Sequence, residues 1–364
     1  MARPQSAEKE VARRRAAWVA AQKTGWAAVP RYARQALRSA PGVVLSAAAC
    51  TGLALRLLVR DRWPGLWTVG YYVTPPLILA GLFILAGLAW LAGRRRRVAV
   101  GMLTLGLICL LWAGRVSWGH SRGTGTPSES RRLIFWNVAH GEAGWERLAG
   151  ELRKWDADVI GLVESTRDVP SRGRDRKTVH AERAQAAREM EAFWNQHLPE
   201  YRVTVDHNGI ALLVRGEVVA VKSGYLAPND RSADGRYVRG EIVLAGQRLH
   251  VFVVDLTLGI TDSRVPALYD LCAAVDEIAG TPVVVLGDFN TPAEAAAFSR
   301  LRQRLLNAFE MRGCGYGASW PLPLPVLTLD QAWVGGGVQV ENCRFRWTRL
   351  SDHRPLVLDI SLPR

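Results

Sequence analysis

The apolar and polar positions of this chain follow two different rhythms. From about residue 42 to about residue 116 apolar residues run almost unbroken in three stretches. The first, 42–59, is interrupted by Arg56. The second, 66–93, is nearly free of charge but contains Pro75-Pro76. The third covers 98–116. A bilayer core about 30 Å thick takes roughly 20 apolar residues as a helix. The pattern therefore predicts about three transmembrane helices within residues 41–118, the first of them short. The paired prolines predict a kink in the second, which a span tolerates when its neighbours satisfy the freed carbonyls. Residues 1–40 are basic and Ala-rich and predict a solvated or interfacial amphipathic helix rather than a cleavable signal peptide. Residues 119–130, rich in Gly, Ser and Thr, predict a linker.

After residue 130 the apolar runs shorten. Residues 133–138, 159–163, 209–214, 218–222, 238–244, 249–256, 282–286, 329–334 and 356–360 predict strands. Trp145, Leu148, Leu152 and Trp155 fall on one face of a helix, and 180–198 and 266–279 predict two more. No internal repeat is visible. Strands interleaved with helices over residues 131–364 predict one α/β domain.

Charge sharpens the division. Residues 1–125 hold 18 Lys and Arg against 3 Asp and Glu, a balance of +15, whereas residues 126–364 hold 29 against 30, a balance of −1. The net charge of +14 thus belongs to the apolar third. It points to membrane topology and anionic lipid rather than to a long duplex footprint. Arg94-Arg95-Arg96-Arg97 separates the second and third apolar stretches. Short basic loops stay cytoplasmic, so the third helix is expected to run outward. The chain then reads as a multi-pass cell-membrane protein with a cytoplasmic segment 1–40 and an extracytoplasmic domain after residue 118. None of the five cysteines has CxxC spacing, which argues against zinc. A disulfide framework is not indicated, although one bridge, for example Cys314–Cys343, stays open for an extracytoplasmic domain.

Several polar residues stand where apolar runs end: Asn137, Glu164, Asp288 and Asn290 after such runs, and Asp330, Asp352 and His353 beside the last two. Polar groups at strand ends converge on the rim of a sheet, where sites form. Carboxylates with carboxamides make an oxygen-rich set that suits Mg²⁺ or Mn²⁺. Each residue alone has a plain reading, as a cap, a turn or a surface group. The basic loop 165–177 reads as solvated or as facing phosphate or lipid near Glu164, and Trp320 as packing or as a pocket wall.

Their order is more specific. A strand ending in Asn137, a strand ending in Glu164, Gly287-Asp288-Phe289-Asn290, Leu329-Asp330 and Ser351-Asp352-His353 together resemble the endonuclease/exonuclease/phosphatase superfamily over about residues 131–362. The resemblance implies a four-layer α-β-β-α sandwich and hydrolysis of phosphate esters with Mg²⁺ or Mn²⁺. It implies that Glu164 binds the metal, that Asn137 positions metal and phosphate, and that Asp352 is a second metal ligand. By the same resemblance Asp288 activates water, Asn290 contacts the phosphoryl group, His353 stabilises its oxygens or the leaving group, and Asp330 fixes the tautomer of His353. The chain departs from the family where Thr257 or Leu256 stands in place of an expected second histidine; Asp255 could supply a carboxylate instead, and His140, His207 or Arg264 a donor from elsewhere. The expected activity is a membrane-anchored phosphoesterase acting outside the cytoplasm on a phosphorylated, lipid-linked or small substrate. An extracytoplasmic nuclease, with nucleic acid not favoured, and a catalytically impaired binding or scaffold module are the alternatives.

Overall fold

The structure, a computed structural model, describes residues 13–15, 31–121, 130–170, 173–227, 235–256 and 259–363. Helix α1 is Arg31–Ala54 and continues as a π-helical turn, Leu55–Val59; it is followed by α2 (Leu66–Tyr72), α3 (Pro76–Ala92) and α4 (Arg96–Ser117). Then come β1 (Trp118–His120), β2 (Arg131–Asn137), α5 (Trp145–Trp155), β3 (Val159–Val163), α6 (Arg176–His197), β4 (Arg202–Val205), β5 (Ala211–Val214), β6 (Glu217–Leu226), β7 (Gly235–Leu244) and β8 (Gln247–Leu256). The chain ends with α7 (Val265–Asp276), β9 (Val283–Asp288), β10 (Leu306–Asn307), α8 (Ala308–Arg312), β11 (Gly313–Tyr316), β12 (Asp330–Gly335), β13 (Gln339–Phe345) and β14 (Leu356–Ser361).

Two compact units divide the chain: residues 1–53 with 79–110, and residues 54–78 with 111–364. In the first, helices approach closely where one of them offers glycine. Trp90 lies over Gly42, Leu103 over Gly87 and Ile84 over Gly106, and Trp90 donates to Ser46 Oγ at 2.9 Å. Small residues that admit a neighbour in this way are the usual contact between helices in lipid. By length and composition two helical segments suffice to cross a membrane, Ser39–Val59 and Arg96–Ser117. The second expected span is broken: α2 and α3 meet at 78°. Pro75 and Pro76 lack the N–H that would continue the ladder, and each disfavours helical backbone in the residue before it.

The second unit is built on two sheets. One has eight strands in the order β1-β11-β13-β14-β2-β3-β5-β4, the other six in the order β10-β12-β9-β8-β7-β6. Strand side chains alternate faces, and the buried clusters follow that alternation. Leu133 and Phe135 on β2 meet Val284 and Leu286 on β9 in the space between the sheets. Ile134 and Trp136 point the other way, onto Leu148 and Leu152 of α5 and Trp194 of α6. Val283 and Val285 likewise turn outward onto Leu268 and Leu271 of α7. Helix, sheet, sheet and helix are thus stacked in four layers.

Residues 54–72 belong to this unit and to its core. Tyr71 and Tyr72 pack in the same buried cluster as Phe289 and Phe298. Arg56 pairs with Glu294, and Asp61 accepts from the backbone amides of Ala296 and Ala297 at 2.7 and 2.9 Å. The expected linker 119–130 also begins inside the fold, because Gly119 and His120 in β1 pair with β11; Gly119 lies against the backbone of Gly313, an approach that excludes a side chain. Residues 122–129 lie outside the described residues. All five cysteines are free, Cys314 and Cys343 included.

Gly287 shows what the central sheet requires. A Cβ there would stand 2.6 Å from the backbone oxygen of Val254 on β8. Gly287→Ala is expected to cost about 1–3 kcal/mol through overpacking and to lower the thermal midpoint of the full chain in detergent. An unchanged midpoint would mean that β8 and β9 separate freely at this point.

Candidate active site

Strand register assembles the site. In the six-stranded sheet Asp330 of β12 stands opposite Asp288 of β9, and Asp288 stands opposite Asp255 of β8. Three carboxylates therefore share one row. In the eight-stranded sheet Asn137, the last residue of β2, stands beside Val163, the last of β3, and Glu164 follows at once. Glu164 and Asn290 hold left-handed backbone, with φ of 51° and 45°, as do Ala139 and His140 in the loop after β2. For residues other than glycine this costs on the order of 1 kcal/mol or more each, and such strain concentrates where side chains must be aimed.

Hydrogen bonds fix the cluster. Asn137 Nδ2 donates to Glu164 Oε1 at 3.0 Å and to Asp288 Oδ2 at 3.1 Å, while its Oδ1 accepts from the Ala139 amide at 3.0 Å. The other oxygen of Asp288 accepts from the Asn290 amide at 2.9 Å. The Asn290 side chain donates to the Leu256 carbonyl at 2.9 Å, which ties the turn after β9 to the end of β8. His353 Nδ1 donates to Asp330 at 2.8 and 3.1 Å. That bond directs the ring and leaves Nε2 3.8 Å from Asp288 Oδ2, too far for a hydrogen bond and free to meet another partner.

Burial sets the charges. It opposes an imidazolium at His353, yet the carboxylates of Asp330 and Asp288 outweigh it and push the ring up to about 10. Burial raises Asp288 to about 6, against the pull of His353. Burial also raises Asp255 to about 7; Arg236 opposes the rise, and Asp288 and Glu164 add to it.

Asp288, Asp330 and His353 bring ligand atoms within 4.8 Å of one another. Asp330, however, is fully buried and has both oxygens on His353, so it is committed to orienting the ring rather than free to hold an ion. The better cation site lies around Glu164. Its Oε2 stands 3.4 Å from His140 Nε2, and His140 Nδ1 donates to the Thr166 carbonyl at 2.9 Å, which leaves a lone pair on Nε2 when the ring is neutral. Glu164, Asp255 and His140 line one cavity of about 320 Å³. Three arginines, Arg167, Arg183 and Arg236, share that lining with the carboxylates, and Arg236 stands 3.9 Å from Asp255. The carboxylates of Glu164, Asp168 and Asp255 in that lining are hard oxygen donors of the kind that suits a divalent cation such as Mg²⁺ or Mn²⁺.

Asn137, Glu164, Asp288, Asn290, Asp330 and His353 are thus brought together. Asp352 is not joined to Glu164: its carboxylate accepts from Trp320 Nε1 at 3.0 Å, and it lines a separate cavity with Arg147 and Lys154. Its main-chain neighbour His353 turns inward while Asp352 turns to solvent. Thr257 lies outside the described residues. Of the three donors considered in its place, His140 reaches Glu164, and His207 lines the same cavity. Arg264 does not serve; its guanidinium binds the carbonyls of Gly259 and Asp262 and clamps its own loop. Arg236 and Asn208, also in the cavity wall, were not legible as site residues. Trp320 packs 6.3 Å from the His353 ring.

Fold and cluster define an α-β-β-α protein with an acid, amide and imidazole centre at its strand ends. Residues 134–353 match the model of the Endonuclease/Exonuclease/phosphatase family, and the chain belongs to that family of phosphate-ester hydrolases. No curated protein matches the chain. Among solved structures it is similar to the endonuclease/exonuclease/phosphatase from Bacteroides vulgatus, at 16% identity and a TM-score of 0.50, over 64% of this chain and 99% of that one. It is also similar to a mannosyl-6-phosphatase from Bacteroides thetaiotaomicron, at 13% identity and a TM-score of 0.50, over 64% of this chain and all of that one. At these identities the likeness is one of fold.

Proposed function

We propose that this chain is a divalent-metal-dependent phosphoesterase held in a membrane, with its catalytic domain outside the cytoplasm. The observation that carries the reading is the linked set Glu164, Asn137, Asp288, His353 and Asp330, oriented by hydrogen bonds at the ends of four strands. Hydrolysis of a phosphate ester needs an aligned water, stabilised phosphoryl oxygens and a neutralised leaving oxygen. Asp288, raised toward neutrality by burial and held by Asn137 and Asn290, suits the acceptance of a proton from water. His353, kept cationic by Asp330, offers Nε2–H to a phosphoryl or leaving oxygen. Asp330 acts through the ring, as a positioning residue. Glu164, with Asn137 and His140 beside it, would hold Mg²⁺ or Mn²⁺, which supplies Lewis-acid charge at the phosphoryl oxygens. Asp352 would contribute to that ion only after leaving Trp320.

Turnover by the purified full chain in detergent tests this reading. Release of headgroup or phosphate from phosphatidic acid or phosphoinositide vesicles, dependent on added Mg²⁺, is expected. Nicking of plasmid DNA without lipid turnover would favour the nuclease, and tight metal binding without turnover of either would favour a scaffold.

The outward placement is supported by Arg94–Arg97 at the turn between α3 and α4 and by the near-neutral charge of everything after α4. A periplasm-active phosphatase reporter fused to the C-terminus is expected to be active; activity of a cytoplasm-restricted reporter there instead would overturn the topology.

A further inference from the structure

The cavity beside Glu164 continues into a second one of about 370 Å³. Arg183, His207 and Arg236 line both, and Arg174, Arg176 and His180 line the second alone. No Asp or Glu is among the residues that line it. Helix α6 supplies one wall: Arg176, His180 and Arg183, spaced by four and three residues, fall on one face. The facing wall comes from the six-stranded sheet, where Tyr225 and Arg236 are cross-strand partners. His207 joins the walls, with its ring 4.9 Å from that of His180 and its Nε2 2.9 Å from the Tyr225 hydroxyl.

Among the described residues the side chains of Arg176 and Arg183 make no ion pair or hydrogen bond, while Arg236 stands 3.9 Å from Asp255 and donates to the Asn208 carbonyl at 3.5 Å. Arg174 is paired with Glu182 at 2.6 Å. Like charges on one face repel, and guanidinium groups converging on a concave surface match the geometry of a phosphate. We propose that this second cavity is an anion subsite, which takes a phosphate group of the substrate other than the one hydrolysed. Bound there, it would present its neighbouring ester to the cluster around Asp288. The subsite rests on the phosphoesterase reading for its role, but not for its existence. It makes the substrate a molecule with two phosphate groups, as in a phosphorylated lipid headgroup or its free, deacylated counterpart.

The test uses the full chain in detergent and a double variant, Arg176→Ala with Arg183→Ala. Arg176 is exposed and Arg183 half-buried on α6, and alanine is a strong helix former. First, inorganic phosphate is titrated calorimetrically in the presence of a chelator. Wild type and Glu164→Gln should bind it alike, and the double variant at least about tenfold more weakly, the scale of a lost charge-assisted hydrogen bond. Equal binding by wild type and the double variant, or no binding by wild type, overturns the proposal. Second, with Mg²⁺ present, turnover is compared on phosphatidylinositol 4-phosphate and phosphatidylinositol in vesicles, and on the two deacylated headgroups in solution. The double variant should lose about tenfold more in kcat/KM on the extra-phosphate compounds than on the others. The arm with the larger preference identifies a lipid or a free ester as the source. Equal loss on every compound overturns the subsite. Phosphate binding that needs the arginines, without turnover of any ester, would overturn the hydrolase and leave the subsite standing.

Discussion

Asp288→Asn is expected to lower kcat by about 10²–10⁴, the usual contribution of a positioned acid–base group, with KM and Mg²⁺ affinity changing far less. The replacement keeps the shape of the side chain but removes the proton acceptor. It also leaves one amide group facing Asn137 Nδ2 without an acceptor, a local penalty of about 1–3 kcal/mol. The fold withstands this, because Asp288 lies at the end of β9 and the pairing of β9 with β8 and β12 is made by backbone. Single-turnover measurements with saturating metal check the expectation. A variant within a factor of about three of wild type would remove Asp288 from the proton-transfer role and shift attention to Asp255, its neighbour in the same row.

Glu164→Gln should act at a different point. Loss of an outer partner of a metal ligand typically costs about 10–100-fold in affinity, and a carboxylate in direct contact should cost no less. In the wild type Mg²⁺ or Mn²⁺ should raise the thermal midpoint by mass action. In Glu164→Gln that rise should disappear at the same metal concentration, while the midpoint without metal stays equal or increases, because a crowded negative charge has gone. A full metal-induced rise in the variant would place the ion elsewhere, with the Asp288, Asp330 and His353 trio as the next candidate.

Much of this arrangement was readable from residue order, for a physical reason. Strands buried on both faces, such as Val159–Val163 and Val283–Asp288, are unbroken apolar runs, and a polar residue at the end of such a run is conspicuous. Strand β13 was invisible because its residues Gln339, Glu341, Asn342 and Arg344 look solvent-facing, yet Asn342 and Arg344 are paired with Asp359 on β14. Strand β11 was hidden by its glycines. Side-chain direction was the second loss. His140 and Arg264 looked equally suited to replace a missing histidine; one reaches Glu164 and the other is consumed by its own loop. Asp352 and His353 are adjacent in sequence yet face opposite ways. The arginines of 165–177 showed as a charge run, but their partners on α6 and β7 could be joined to them only by the fold.

The contacts of residues 56–72 carry a consequence for how the protein can exist. Arg56, Asp61, Tyr71 and Tyr72 support the segment from Thr291 to Ala297, which follows directly on Asp288 and Asn290. Cleavage in the stretch before β2 would therefore not release an intact hydrolase. It would strip aromatic side chains from the core, strand Glu294 without its guanidinium and uncap the two amides behind the catalytic turn. Residues 56–72 are therefore not a detachable handle, because a fragment beginning at β2 would lack part of the buried core behind that turn.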